Sequence, residues 1–207
     1  MNYAMSTSKD LIIKSAISEF LKFGYKKASL RNIAKGAGLT TGAFYNYFES
    51  KLDLFEVLVA PYEKYYLDHC AQVREMLETA SVFSAGAVLQ EAGYQRARDI
   101  HYYIYDHYDN YMLLLNSSEG TDHENFIERL IDDEVNRIID YFTKNKASLK
   151  NNVVLDRDFC YSLTKAQFTE LFANVRAERD CEVCFKKNIL VKQFYEAGWT
   201  KIMNEVF

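Results

Sequence analysis

A single proline in 207 residues constrains this chain more than any other feature. Proline and glycine punctuate a fold. With one Pro and eight Gly there is little turn chemistry for many short strands. The expected fold is all-α, with about nine helices joined by short loops. A hydrophobic share of 49% over this length suffices for one or two domains with a real core. No run of about 18 apolar residues occurs, so no membrane span is expected. Met1 to Asp10 lack a basic stretch ahead of an apolar core, so no signal peptide is expected. The four cysteines do not form a disulfide framework, and a reducing cytoplasm is the expected location.

The net charge of −4 conceals an asymmetry. Residues 1–51 hold eight cations (Lys9, Lys14, Lys22, Lys26, Lys27, Arg31, Lys35 and Lys51) against Asp10, Glu19 and Glu49. That segment is net +5, which leaves −9 on the rest. A basic head on an acidic body points to a polyanion partner at the head alone.

Helical periodicity and capping residues divide the chain. The first helix is expected from Ser8 to Phe23, with Ile13, Ala16, Ile17 and Phe20 inward and Gly24 as its stop. Ser29 opens a short second helix with Leu30, Ile33, Ala34 and Ala37 as its stripe, and Gly38 ends it. Thr40 and Thr41 open a third, to about Tyr47. Ser50, with Asp53 three residues on, caps a long fourth helix that contains Pro61 and ends in the high 70s. Further helices are expected over Ser84–Tyr108, a short stretch to Leu115, Thr121 to about Lys146 (Thr121 and Glu124 as capping box), Asp156–Arg176 and Asp180–Val206. Residues Asn116 to Gly120 and Ser148 to Val153 read as loops.

The segment from Gly24 to Leu54 carries the functional signal. Two short helices joined by a glycine-containing turn, with a supporting helix before them, make a helix-turn-helix. Phe44 and Phe48 lie one turn apart and face the core, which leaves Thr41, Gly42, Ala43, Tyr45 and Tyr47 for the outer side. The residues Gly24-Tyr25, Ala28-Ser29, Ile33-Ala34, Ala37-Gly38-Leu39, Thr40-Thr41-Gly42, Phe44-Tyr45, Tyr47-Phe48, Lys51 and Leu54 resemble the DNA-binding signature of the tetracycline-repressor (TetR) family. The resemblance covers about residues 8–55. Many relatives have His where this chain has Tyr47.

The resemblance implies a head of residues 1–50 and a ligand-binding and dimerisation body of residues 51–207. It implies that Thr40, Thr41, Gly42 and Ala43 lie nearest the base edges. Ser29, Arg31, Tyr45, Tyr47 and Lys51 would contact phosphates, which position the protein while base contacts specify sequence. It also implies a homodimer on operator DNA, released by a small-molecule effector.

In the body, Tyr94, His101, Tyr102, Tyr103, Tyr105, His107, Tyr108 and Tyr111 crowd one stretch. Tyrosine brings a large ring and one polar handle, which suits a partly polar pocket. The expected effector residues are His101, Tyr105, Tyr108, Met112, Phe126 and Phe168. The expected dimer interface, from the last two helices, is Phe168, Phe172, Val175, Tyr195, Trp199 and Met203. Two recognition helices must reach successive major grooves about 34–36 Å apart, so a dimer suits the reading.

Catalytic signatures do not emerge. There is no phosphate-binding glycine loop, nucleophile elbow or H-E-x-x-H, and neither an enzyme nor a cofactor is expected. Cys181-Glu182-Val183-Cys184 is a lone C-x-x-C, a weak zinc signal. His69, His101, His107 and His123 are scattered, and no metal site is expected. Two alternatives stay open: a redox or metal sensor using Cys181 and Cys184 on the same fold, and a DNA-binding partner protein without a small-molecule ligand.

Overall fold

The computed structural model describes residues 7–79, 86–144 and 156–206. Among these are nine α-helices and no strand: α1 (Ser8–Lys27), α2 (Leu30–Gly36), α3 (Thr41–Phe44), α4 (Lys51–Thr79), α5 (Gly86–Asp106), α6 (Tyr108–Asn116), α7 (Phe126–Lys144), α8 (Arg157–Ala177) and α9 (Cys181–Val206). They form two compact units, Met1–Phe126 and Ile127–Phe207. The first unit therefore extends well past the head of residues 1–50, which we keep as a proposed division of labour.

The core of the first unit begins under the head. Ile12, Ala16 and Phe20 of α1 are fully buried, with Ile33 and Ala34 of α2, Phe44 of α3, and Leu54, Phe55 and Val59 of α4. The α1 stripe is thus centred on Ile12 rather than Ile13, and Ile13 and Ile17 sit half-buried at its flank. Phe20 meets Phe55 edge to face at 5.1 Å between ring centroids. Each such buried ring contributes roughly 1.5–3 kcal/mol. Packing of α1 on α2 is close enough that a Cβ at Gly36 would strike Ser15 Oγ, which itself donates to Ile33 O at 2.8 Å. A side chain at position 36 would turn Ser15 Oγ away and cost its bond to Ile33 O, which favours glycine there.

Several helix limits differ from expectation for local reasons. Gly24 takes φ 72° and breaks α1, as a stop residue should, but the chain resumes a helical turn through Lys27. The third helix ends at Phe44, and Tyr45–Tyr47 form turns. Helix α7 begins at Phe126, not Thr121: Glu124 accepts from Gly120 N at 2.9 Å and Thr121 Oγ1 accepts from His123 N at 3.2 Å, closing a turn ahead of the helix. The Tyr-rich stretch breaks at His107, so it passes from α5 to α6. Residue Ser84, residues 145–146 and the expected loop 148–153 lie outside the described residues.

The second unit has its own core. Ile131 and Val135 of α7 and Cys160 of α8 are buried, with Ile127, Ile138, Ile139, Tyr161, Phe168 and Trp199 packed around them. Asp156 caps α8 by accepting from Phe159 N at 2.8 Å. Asn188 joins α9 to α8, accepting from Asn174 Nδ2 at 2.8 Å and donating to Leu171 O at 3.3 Å.

Candidate functional site

Two N-caps set the helix-turn-helix. Ser29 Oγ accepts from Asn32 N at 3.4 Å and Thr40 Oγ1 accepts from Ala43 N at 3.1 Å, each serving a donor that the helix start leaves unpaired. Between them Gly38, at φ 73°, makes the turn. Phe44 and Phe48 are buried, 5.6 Å apart between centroids, and anchor α3 from inside. Everything the sequence places on the outer side is accessible: Arg31, Thr40, Thr41, Gly42, Tyr45 and Tyr47 are exposed and Ala43 is half-buried. Tyr45 is 56% exposed and Tyr47 42%, large values for rings with no function in solvent.

Gly42 is informative by contrast with Gly36. A Cβ at position 42 would meet only Thr40 Oγ1, at an ordinary 3.8 Å. The fold does not need glycine there, and glycine in a helix costs up to about 1 kcal/mol relative to alanine. A surface approaching the backbone of α3 closely would need it.

Lys51 is placed differently from a plain phosphate contact. Its Nζ donates to Tyr25 O at 2.7 Å and to Ala28 O at 3.1 Å, and lies 4.5 Å from the centroid of the Tyr25 ring. It caps the end of α1, where the helix dipole favours a cation. Burial pushes its pKa down. At most one of its three donors remains for a phosphate. The break at Gly24 also turns Tyr25 N out of α1, and it donates to Ser117 O, past the end of α6, at 2.8 Å. Alongside, Lys26 pairs with Glu119 at 2.9 Å.

Behind the head, α4 runs unbroken through Pro61. Proline removes one helix N–H and crowds the preceding turn. Helix α6 grips α4 on both sides of that point: Asn110 Nδ2 donates to Leu58 O at 2.8 Å and the Tyr111 hydroxyl donates to Tyr62 O at 2.9 Å. Rings fill the space between α4 and α5, with Tyr65 stacked on Tyr103 at 3.6 Å and Tyr62 5.0 Å from His107. Burial pushes the Tyr66 and Tyr111 hydroxyls far up, so both stay neutral donors.

Four of the expected effector residues lie along α5 and α6. His101 and Met112 are buried, Tyr105 and Tyr108 are half-buried, and the rings of His101, Tyr105 and Tyr108 follow one another at 5.0 and 5.5 Å. Phe126 is buried with its ring edge-on to Tyr66 at 5.5 Å. Phe168 belongs to the second unit and packs there on Phe172, 6.3 Å between centroids.

Sequence reasoning missed a buried ionic cluster. His123 bonds to Glu63 through Nδ1 and to Glu56 through Nε2, the latter at 3.0 Å. Burial works against charge on this imidazole, but the hydrogen bonds and charges of Glu56 and Glu63 outweigh it and hold the pKa above the ordinary 6.5. The available signal was the seven-residue spacing of Glu56 and Glu63, which puts both on one face of α4 beside apolar neighbours.

The expected dimer residues are mostly inward. Phe172 and Val175 are buried, Trp199 is half-buried against the second core, and Tyr195 is half-buried. The side chain of Met203 lies outside the described residues. Among the described residues of α9, Val183, Leu190 (66% exposed) and Phe194 (73%) are exposed apolar side chains. Cys184 is fully buried and Cys181 half-buried. Among the described residues no group of three His, Cys, Asp or Glu side chains could hold a metal ion, and no helix is long and apolar enough to cross a membrane.

A supported helix-turn-helix with an exposed, glycine-containing second helix is the arrangement with which helix-turn-helix proteins enter a major groove. Residues 12–58 match the family described as bacterial regulatory proteins, tetR family. Through this segment, under a quarter of the chain, the protein is similar to that family. Over 52 residues it is 42% identical to the probable acrEF/envCD operon repressor of Escherichia coli (strain K12), a match covering 25% of this chain and 23% of that protein. The alignment thus spans less than a quarter of the relative's length. Among solved structures, the TetR family transcriptional regulator PfmR from Thermus thermophilus is 19% identical over 87% of this chain and 96% of its own, with a TM-score of 0.51. The ketosteroid transcriptional regulator KstR2 of Mycobacterium tuberculosis is 16% identical over 90% and 94%, with a TM-score of 0.54. These two likenesses extend the fold to the whole chain.

Proposed function

We propose that this protein is a transcriptional repressor that binds a two-fold symmetric operator as a homodimer and releases it when a small molecule occupies the body. The observation that carries the reading is the tip of α3. Thr40, Thr41 and Gly42 are exposed there, with a glycine that packing does not demand. Small residues let that tip meet base edges, and Tyr45, Tyr47, Arg31 and Ser29 flank it as phosphate donors. Lys51 contributes mainly by fixing the end of α1.

For the dimer, the exposed Leu190 and Phe194 of α9 give a second copy an apolar face to cover. For the effector, the His101, Tyr105, Tyr108 and Met112 run offers rings and hydroxyls to a partly apolar molecule.

The test is selection of bound DNA from a random pool with the full chain, at a fixed moderate salt because affinity depends on it. Enrichment of a symmetric site is the expected result. Folded protein that enriches nothing would overturn the reading.

A further inference from the structure

We propose that His123 is a positioning residue for DNA binding: protonated, it ties α4 to the corner between α6 and α7, and loss of its proton loosens α4 behind the head. The proposal rests on the DNA-binding reading above. Glu56 and Glu63 stand two turns apart on α4, and His123 lies between them, with Nδ1 on Glu63 and Nε2 on Glu56. Only an imidazolium donates from both ring nitrogens. A neutral ring donates once and turns a lone pair toward the other carboxylate. His123 is 8% exposed and Glu63 7%, so the Glu63 side of that mismatch is closed to water, while the Glu56 carboxylate, 38% exposed, is free to turn to solvent and let its end of the tie go.

The same corner holds the head. Ser117 O accepts from Tyr25 N, and Glu119 pairs with Lys26. Within seven residues, one corner thus fastens the end of α1 and two turns of α4. A change at His123 is felt where the head joins its support.

The charged and titratable groups around the ring are Glu56 and Glu63 from α4, Tyr25 from α1 (whose hydroxyl burial and Glu56 push up) and Asp122 and Glu124 on its own exposed loop. Because the His123 pKa is raised, its contribution is complete below the ordinary 6.5 and is lost as pH rises through the raised value. The matched segment 12–58 contains no histidine, so the DNA-contacting surface itself brings no group that titrates near neutrality.

The experiment measures affinity for the DNA site enriched from the random pool, from about pH 6 to about pH 9, where histidine and, toward the upper end, cysteine are the ordinary side chains that titrate; the His123→Gln profile separates the two. The full chain is compared with Glu56→Gln and His123→Gln, and thermal midpoints are read over the same range without DNA. In the unaltered protein affinity is expected to fall about tenfold, the factor that corresponds to one unit of pKa difference. Glu56→Gln, the milder change, should move the midpoint of that fall to lower pH, and His123→Gln should flatten it. Thermal midpoints should follow the same order. Affinity that does not change with pH, or profiles that His123→Gln and Glu56→Gln leave unaltered, overturns the proposal. Should no variant bind DNA at any pH while the thermal midpoints shift as expected, the DNA reading fails and the proposal with it, but the ionic tie stands. Thermal midpoints indifferent to His123 remove the tie itself.

Discussion

The head and the layer formed by α4, α5 and α6 hold together by different means. In the head the helix starts are capped locally, Ser29 and Thr40 each serving an N–H three residues on, and the rings of Phe20, Phe44 and Phe55 fill the core; its longer polar ties gather at the end of α1, where Lys51, Ser117 and Glu119 meet it. In the α4–α6 layer the polar contacts reach across the chain. Asn110 and Tyr111 serve carbonyls of α4, and His123 serves carboxylates 60 and 67 residues away. Local caps hold α3 in one shape. A layer tied by a few long-range bonds next to a helix-borne proline has contacts that can be exchanged, which suits the part proposed to respond to an effector.

The comparison breaks most readily at His123. Replacing it by leucine takes the imidazole away from the buried Glu63 carboxylate, and unfolding in urea at neutral pH should show a loss on the order of 3 kcal/mol. If the loss is only a few tenths, the layer does not depend on its long-range tie. Next comes α6: Tyr111→Phe and Asn110→Ala should each cost about 1 kcal/mol in the same assay. Their effects should appear with little change in DNA affinity at saturating protein, if the head is closed on its own. In the head, Thr40→Ala removes a cap and should also cost about 1 kcal/mol. Unlike the α6 changes, it should weaken DNA binding in proportion to the disorder at the start of α3. The smallest stability effect belongs to Gly42→Ala, which should be neutral or stabilise by up to about 1 kcal/mol while weakening binding to the selected DNA site. Loss of stability there would mean that Gly42 serves packing, and the α3 tip would lose its special standing.

What could be read from the sequence follows the same division. The caps at Ser29, Thr40 and Ser50, the turn glycines at 24 and 38, and the inward Phe44 and Phe48 are short-range signals, and each sits where residue chemistry puts it. The accessible tip of α3 was legible for the same reason. Thr121 and Glu124 carried a true capping pattern, but both side chains are spent on the turn before α7. His123 looked isolated because its partners are distant in sequence. On α8 and α9 two apolar stripes compete, and periodicity alone could not say that Phe172 and Val175 turn inward while Leu190 and Phe194 face out. The fate of Lys51 was hidden likewise, since its acceptors are backbone carbonyls that no sequence pattern marks.

The break in α1 at Gly24 has a consequence for modularity. Because it hands the Tyr25 N–H to Ser117, the head borrows part of its own backbone satisfaction from residues that follow α6. A chimera that grafts this head onto a relative's body at residue 50 would carry an orphaned donor across the seam. Interchange between relatives should succeed only when the stretch from Ser117 to Glu119 travels with the head, so the transplantable unit is a discontinuous one.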